Sequence, residues 1–342
     1  MRFEYYHAGL EDVPKLSVDG LVPNSLHFSH WQGNETSAAV KADSSTEIAL
    51  NIVASPARAE LTRGLELVTN NHFDTDGVLS VWTMLAGERA LALCSALVAA
   101  AEAGDFSANT GAQAIRASIV LQGGDGFAPD AGVASPLARH LASGASVDEA
   151  RAYALVLPEV ERVITRTNYY EHLWRDEWTR IEASLESFAS GASRVEEDAE
   201  TGLSFVTLSR DLYGVQGFSP TRHAAPYTAI TEHARGRVYL IAIPLDKAWG
   251  YRVDYPYHSW AETVVRPTIT RADFAPVLRR LNELEQNRDA LWQLDTEGLS
   301  SAFNFADGGG TLRASSLAPE KVADLVRAAL CEGAESSVAP GR

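Results

Sequence analysis

Residues 71–80 carry the clearest chemistry in this sequence. His72, Asp74 and Asp76 alternate along the chain, and Gly77 follows them directly. Because side chains of an extended strand alternate between its two faces, these three would share one face if a strand continued through them. An imidazole and two carboxylates on one face are ligands for one or two divalent cations. The spacing therefore predicts a metal site. The carboxylates and imidazole together favour Mn, with Zn, Fe and Mg as the other options.

The elements on either side predict where this site lies. Residues 65–70 have the pattern of a short strand, and residues 78–103 have the pattern of one long helix. Polar residues between the end of a strand and the start of a helix lie where open α/β sheets bind ligands. Asp76 has an alternative role as a helix N-cap, which stays open here. A calcium loop is excluded, because its last ligand would be glutamate where this chain has Thr83.

Residues 72–80 (His-Phe-Asp-Thr-Asp-Gly-Val-Leu-Ser) resemble the first motif of the DHH phosphoesterase superfamily. That motif is His-x-Asp-x-Asp-Gly followed by a helix with small residues, and in the family it holds two Mn ions that activate water against a phosphate ester. The resemblance implies that His72 and Asp74 bind one metal and that Asp76 binds the other. The family's second motif is an aspartate after the first helix, and the resemblance assigns that role to Asp105.

Two further sequence features qualify the resemblance. The family's third motif, Asp-His-His, is absent, and His140, the only histidine in the corresponding region, is the candidate to replace part of it. Residues 73–79 also resemble the nucleophile motif of haloacid-dehalogenase-like phosphatases, in which Asp74 would be the nucleophile and Asp76 the acid/base. That motif normally ends an apolar strand near the N-terminus, whereas the preceding residues here are polar and His72 has no role in it. We therefore prefer the first family.

Other residues with useful chemistry lie elsewhere in the chain. Arg222 and His223 are adjacent in a loop of the second half, and a guanidinium beside an imidazole suits phosphate recognition. With Asp76 as the catalytic carboxylate, we predict that Arg222 and His223 hold the phosphoryl or leaving group. His27 and His30 would point to opposite faces of a strand, which is poor geometry for one metal. We interpret both as structural residues.

Composition restricts the class of function. The chain has 342 residues, 46% of them hydrophobic, which is enough for a sizeable core. Its net charge of −16 would repel a polynucleotide, so we expect a small-molecule substrate and no long nucleic acid. Two cysteines give no disulfide framework, and no apolar run is long enough to cross a bilayer. We therefore expect a cytoplasmic protein with no membrane partner, and a homo-oligomer stays open.

The order of the predicted elements gives an α/β fold with two domains. Residues 1–190 are expected to form a parallel sheet with flanking helices around the metal site, and residues 191–342 a smaller α+β domain that contacts the substrate. An unbroken helix of about 25 residues would be roughly 38 Å long and would carry Asp105 away from the site. Asp105 can join it only if the helix breaks, and Gly87 and Gly104 are the available positions.

These observations together predict a metal-dependent hydrolase, most simply a phosphoesterase that uses a dinuclear Mn centre on a small phosphate-containing substrate. A hydrolase of a non-phosphate bond and a non-catalytic binding protein are the alternatives.

Overall fold

The computed structural model describes residues 1–124, 132–215, 217–220, 223–296 and 298–336. The chain forms two compact units, of which unit 1 contains Met1–Trp178 and Trp260–Thr268 and unit 2 contains Thr179–Ser259 and Ile269–Arg342. The division falls inside a helix rather than at residue 190. The reason is visible in unit 1, where the Arg116 guanidinium stacks at 4.4 Å on the rings of both Trp174 and Trp178.

Unit 1 is built on a four-stranded parallel sheet with the strand order β1-β4-β2-β3. Its strands are β1 (Arg2–Phe3), β2 (Lys15–Val18), β3 (Leu26–Phe28) and β4 (Leu67–Thr69). The central strands β2 and β4 are buried along their whole length, as expected of a parallel sheet covered on both faces. The chain runs from β2 to its neighbour β3 and then to β4 on the other side of β2. Ligand sites of open α/β sheets form beside such a reversal of strand order.

Unit 1 also contains helices, the last of which continues into unit 2. They are α1 (Ser45–Ala54), α2 (Arg58–Leu61), α3 (Thr75–Ala86), α4 (Glu88–Leu91), α5 (Cys94–Asp105), α6 (Ala112–Gln122), α7 (Pro136–Leu141), α8 (Glu149–Val156), α9 (Val160–Thr165) and α10 (Glu171–Ala189). The predicted single helix over residues 78–103 is wrong. Gly87 has a φ of +61°, which ends α3 and turns the chain through α4 into α5.

Unit 2 is built on a six-stranded mixed sheet with the strand order β5-β6-β7-β8-β10-β9. Only β6 and β7 are parallel neighbours, and the other pairs are antiparallel. The strands are β5 (Arg194–Asp198), β6 (Leu203–Thr207), β7 (Val238–Leu245), β8 (Ala248–Asp254), β9 (Leu291–Leu294) and β10 (Ser301–Ala306). The helices are α11 (Tyr227–His233), α12 (Ala275–Leu284) and α13 (Pro319–Ser336).

The prediction of an α/β fold with a parallel sheet is confirmed. Among the described residues, no helix combines the length and the apolar character needed to cross a membrane.

Candidate metal centre

Polar side chains follow three neighbouring strands of unit 1 and lie at one edge of the sheet. Asp19 follows β2 directly, His30 follows β3, and His72 follows β4. Because the three strands are parallel, their carboxyl ends lie at the same edge. Asp19 has a φ of +65°, a left-handed conformation that aspartate adopts more readily than most residues. The fold therefore brings together residues that are far apart in sequence.

One set of ligand atoms is fully enclosed, and we call it the buried group. It consists of Asp19, His30, Asp76 and Asp105, each of which offers one atom within 4.8 Å of the others. The His30 Nε2 atom lies 3.4 Å from Asp19 Oδ1, 3.7 Å from Asp76 Oδ2 and 3.3 Å from Asp105 Oδ2. One imidazole nitrogen thus faces three carboxylates.

A second set, the open group, consists of Asp19, His72 and Asp74. The His72 Nε2 atom lies 2.9 Å from Asp19 Oδ2 and 3.2 Å from Asp74 Oδ2. The side chains of His72 and Asp74 are 28% and 29% exposed, whereas that of Asp19 is buried. This group is therefore the side of the site that solvent reaches.

Asp19 belongs to both groups. Its Oδ1 atom faces His30 and its Oδ2 atom faces His72. A carboxylate that offers one oxygen to each of two ligand sets is the donor needed to join two divalent cations. The geometry therefore suits a pair of cations rather than a single one.

Three atoms at the centre of this arrangement lack hydrogen-bond partners although they are buried: Asp19 Oδ2, His30 Nε2 and His72 Nε2. Most buried polar atoms in proteins are hydrogen-bonded, so such exceptions require a cause. Here His72 Nε2 faces Asp19 Oδ2, and His30 Nε2 faces three other carboxylate oxygens, in each case without hydrogen-bond geometry. This arrangement is expected of ligand atoms whose natural partner is a cation.

The pKa values show that the acidic groups are crowded. Burial, reinforced by the charge of Asp19, raises the pKa of Asp76 to about 7. Burial and the charges of Asp74 and Asp76 raise the pKa of Asp105 well above its ordinary value. Burial would lower the pKa of His72, but the charges of Asp74 and Asp19 raise it to about 12. Negative charge predominates at this edge of the sheet.

Asp76 and Asp74 are both held by helix N-termini. The two carboxylate oxygens of Asp76 accept the backbone N–H groups of Ser45 and Thr46, each at 2.7 Å, at the start of α1. The positive end of the α1 dipole offsets part of the cost of burying this charge. Asp74 Oδ1 accepts the Gly77 N–H at 2.7 Å and is the N-cap of α3. The capping role left open for Asp76 at α3 therefore belongs to Asp74.

The loop that carries His72 is hydrogen-bonded to a buried tyrosine, Tyr153. The Tyr153 hydroxyl donates to the His72 backbone carbonyl at 2.9 Å and accepts a hydrogen bond from Asn70 Nδ2 at 3.0 Å. The His72 Nδ1 atom lies 3.1 Å from the side-chain oxygen of Asn71. These contacts direct the His72 Nε2 atom at Asp19 and Asp74.

The structure brings together His72, Asp74, Asp76 and Asp105, which the sequence nominated. His72 and Asp74 share one group and Asp76 belongs to the other. Asp105 reaches the buried group because the chain turns at Gly87.

Two members of the site escaped sequence reasoning. Our interpretation of His30 as a structural residue is corrected, because its ring lies among three carboxylates. His27 instead places Nε2 2.9 Å from the Val22 carbonyl oxygen. The other is Asp19, and its position between the strand β2 and Gly20, like that of Asp76 before Gly77, is the sequence signal that identifies it.

Two of the remaining nominated residues, His140 and His223, lie outside both groups. Arg222 lies outside the described residues. His223 belongs to unit 2, where its Nδ1 atom accepts the Ser219 N–H at 3.0 Å and its ring packs against Phe218. His140 packs against His172, with ring centroids 4.9 Å apart, and does not substitute for the missing motif.

The haloacid-dehalogenase alternative requires Asp76 to exchange protons with a substrate. Asp76 is fully buried, and both of its oxygens accept backbone N–H groups of α1. That scheme also leaves Asp19, His30 and His72 without a role. The contacts therefore argue against it.

The comparison with known proteins gives a family but no activity. The model of a family of unknown function (DUF6687) matches residues 2–339. No curated protein matches the sequence. Any function must therefore be argued from the residues of the site. The chain belongs to the DUF6687 family.

Proposed function

We propose that this protein is a divalent-metal-dependent hydrolase, and specifically a phosphoesterase that acts on a small phosphate-containing substrate through a dinuclear Mn centre. The observation that carries the proposal is the sharing of Asp19 by two ligand groups. Imidazole nitrogen together with carboxylate oxygen suits Mn, and Zn, Fe and Mg are the metals to compare with it. The resemblance of residues 72–80 to the DHH phosphoesterases supports the same reading.

The residues fit such a centre. His30 Nδ1 lies 2.7 Å from the Asp43 backbone carbonyl, which can only accept, so Nδ1 carries a proton. In the neutral ring the lone pair is then on Nε2, which faces the buried group. When bound, a pair of divalent cations lowers the pKa of a coordinated water and stabilises charge on phosphoryl oxygens.

The two groups have different tasks in this proposal. Asp19, His30, Asp76 and Asp105 exclude water and fix one end of the centre, because all four are nearly inaccessible. His72 and Asp74 form the exposed end, where a substrate can arrive. The net charge of −16 disfavours a long polynucleotide, so the substrate is a small molecule. We place the protein in the cytoplasm, in keeping with the free cysteines Cys94 and Cys331.

The test is a hydrolysis screen of Mn-loaded protein against phosphomonoesters, cyclic and linear dinucleotides and pyrophosphate. We expect hydrolysis of one class, its loss with a chelator, and its return when Mn is added. Asp76→Asn should abolish this activity, and Asp324→Asn, at an exposed position in unit 2, is the matched control. Because the Asp76 carboxylate also accepts two backbone N–H groups at the start of α1, melting curves must accompany the assay.

The outcomes separate the alternatives. Activity that is unaffected by chelation would contradict a metal-dependent mechanism. A protein that carries two Mn ions but hydrolyses none of these phosphates would point to a non-phosphate bond. A protein that binds no divalent metal would support the non-catalytic reading.

A further inference from the structure

A segment from far along the chain packs beside the buried group, and we call residues 260–268 the strap. The strap belongs to unit 1, although it follows β8 and precedes α12 in sequence. Its backbone pairs directly with the loop that carries His30. The Glu262 N–H donates to the His30 carbonyl at 2.7 Å, and Trp31 and Ala261 form an isolated β-bridge.

The strap acts on the His30 ring directly and through Asp43. The Trp260 ring meets the His30 ring edge to face, with centroids 4.9 Å apart. The ring nitrogen Nδ1 lies 2.7 Å from the Asp43 carbonyl oxygen. The Asp43 carboxylate in turn accepts the backbone N–H groups of residues 264, 265 and 266. The residue that sets the His30 tautomer is therefore held by the strap.

Arg266 joins this assembly to the helix that carries Asp105. One guanidinium nitrogen, Nη1, lies 3.0 Å from Asp43 Oδ2 and 2.9 Å from Glu102 Oε1. Glu102 stands about one turn before Asp105 on α5, and the guanidinium also stacks on Phe106 at 4.6 Å. A single side chain thus connects the supports of two members of the buried group.

We infer that Arg266 is a positioning residue that holds His30 and Asp105 in metal-binding geometry, so that closure of the strap and binding of the cation in the buried group are coupled. This inference rests on the proposed metal centre. It assigns to Arg266 an effect on the buried group, because its described contacts reach the supports of His30 and Asp105 and none of them reaches His72 or Asp74. Partners that orient metal ligands typically contribute 10- to 100-fold to affinity.

The direct test is Mn titration by calorimetry of the full chain. In a His72→Ala background the open group is disabled, so the remaining isotherm reports the buried group. Adding Arg266→Gln should weaken that isotherm about 10- to 100-fold. Glu102→Gln keeps the Asp43 contact and should weaken it less. Arg162→Gln, which removes an exposed arginine of unit 1, is the matched control and should change nothing.

Coupling is reciprocal, so Mn must also act on the strap. In wild type, Mn should slow hydrogen exchange of the amides of residues 264–266, and in His30→Ala it should not. This readout remains informative if Arg266→Gln folds poorly. Two Mn ions bound with unchanged affinities in Arg266→Gln, or unchanged exchange at 264–266, would overturn the inference and leave the proposed function standing. A wild type that binds no Mn would overturn both.

Discussion

Each unit buries carboxylate side chains, but their surroundings differ between the two units. In unit 2, Glu285 is only 2% exposed, and its carboxylate accepts hydrogen bonds from Ser315 Oγ, the Ser316 N–H, the Asn287 N–H and Trp292 Nε1. In unit 1, the buried group places three carboxylates around one imidazole nitrogen, His30 Nε2, which has no hydrogen-bond partner.

This difference distinguishes a structural hydrogen-bond network in unit 2 from a candidate ligand site in unit 1. A buried carboxylate with a full set of donors stabilises the fold and needs no ligand. Carboxylates that crowd together with unpartnered ligand atoms reduce stability, and groups with strongly perturbed pKa values tend to cluster at functional sites. We therefore assign function to the unit 1 group and a structural role to Glu285.

The largest effect is expected from Asp19→Asn. Asparagine keeps the size of the side chain and tolerates the positive φ of this position, so the fold should persist. The amide removes the charge shared by both ligand groups, and hydrolysis should fall by more than about 100-fold, beyond the loss typical of supporting partners. Assay of Mn-loaded protein beside its melting curve checks this. Full activity in a folded Asp19→Asn variant would remove Asp19 from the mechanism.

The next effect contrasts the two units directly. Glu285→Gln should destabilise unit 2 by about 1–3 kcal/mol, because the amide group cannot accept from all four donors. Asp105→Asn should instead raise the melting temperature of metal-free protein by about 2 °C, because it relieves like-charge repulsion. Denaturant and thermal unfolding in the presence of chelator measure both. Equal destabilisation by Glu285→Gln and Asp105→Asn would contradict the distinction between the structural network of Glu285 and the buried group.

A smaller effect should distinguish the open group from the buried group. Tyr153→Phe removes the hydroxyl that holds the His72 carbonyl and leaves Asn70 Nδ2 without this partner. We expect Mn affinity at the open group to fall about tenfold, the low end for a supporting partner, with the buried group unchanged. Two-site calorimetry resolves the two affinities. An equal loss at both groups would show that they are not independently supported.

The smallest effect is the pH dependence contributed by Glu285. Burial raises its pKa, but hydrogen bonds from Ser315, Ser316 and Asn287 lower it below its ordinary value. A lowered folded-state pKa gives stability that is present above the unfolded-state value, about 4.3, and is lost as pH falls through the folded-state value. The stability difference between wild type and Glu285→Gln should therefore shrink between about pH 6 and pH 3. A difference that stays constant over this range would contradict the assigned cause.

Sequence reasoning reached the residues whose positions are set locally. The alternation of His72, Asp74 and Asp76 located the cluster. The length of an unbroken helix was enough to predict that Asp105 can reach the site only if that helix breaks. Gly87 provides that break, with a positive φ that composition does not reveal.

The residues missed by the sequence depend on contacts between distant segments. The expectation that His27 and His30 point to opposite faces assumes that one strand contains both residues. The strand β3 ends at Phe28, so His30 lies beyond it. The alternation of side chains between two faces holds only within a strand. Asp19 and the strap reach the site through sheet order and through contacts across more than 200 residues, which no local pattern encodes.

The measurement that tests the central claim most directly is the stoichiometry of Mn binding combined with electron paramagnetic resonance of the bound ions. Wild-type protein, stripped with chelator and reloaded, should bind two Mn ions per chain with mutually coupled signals, because Asp19 is shared by both ligand groups. Asp19→Asn should lose the coupled pair. A wild type that binds no Mn, or an Asp19→Asn variant that keeps two coupled ions, would contradict the account.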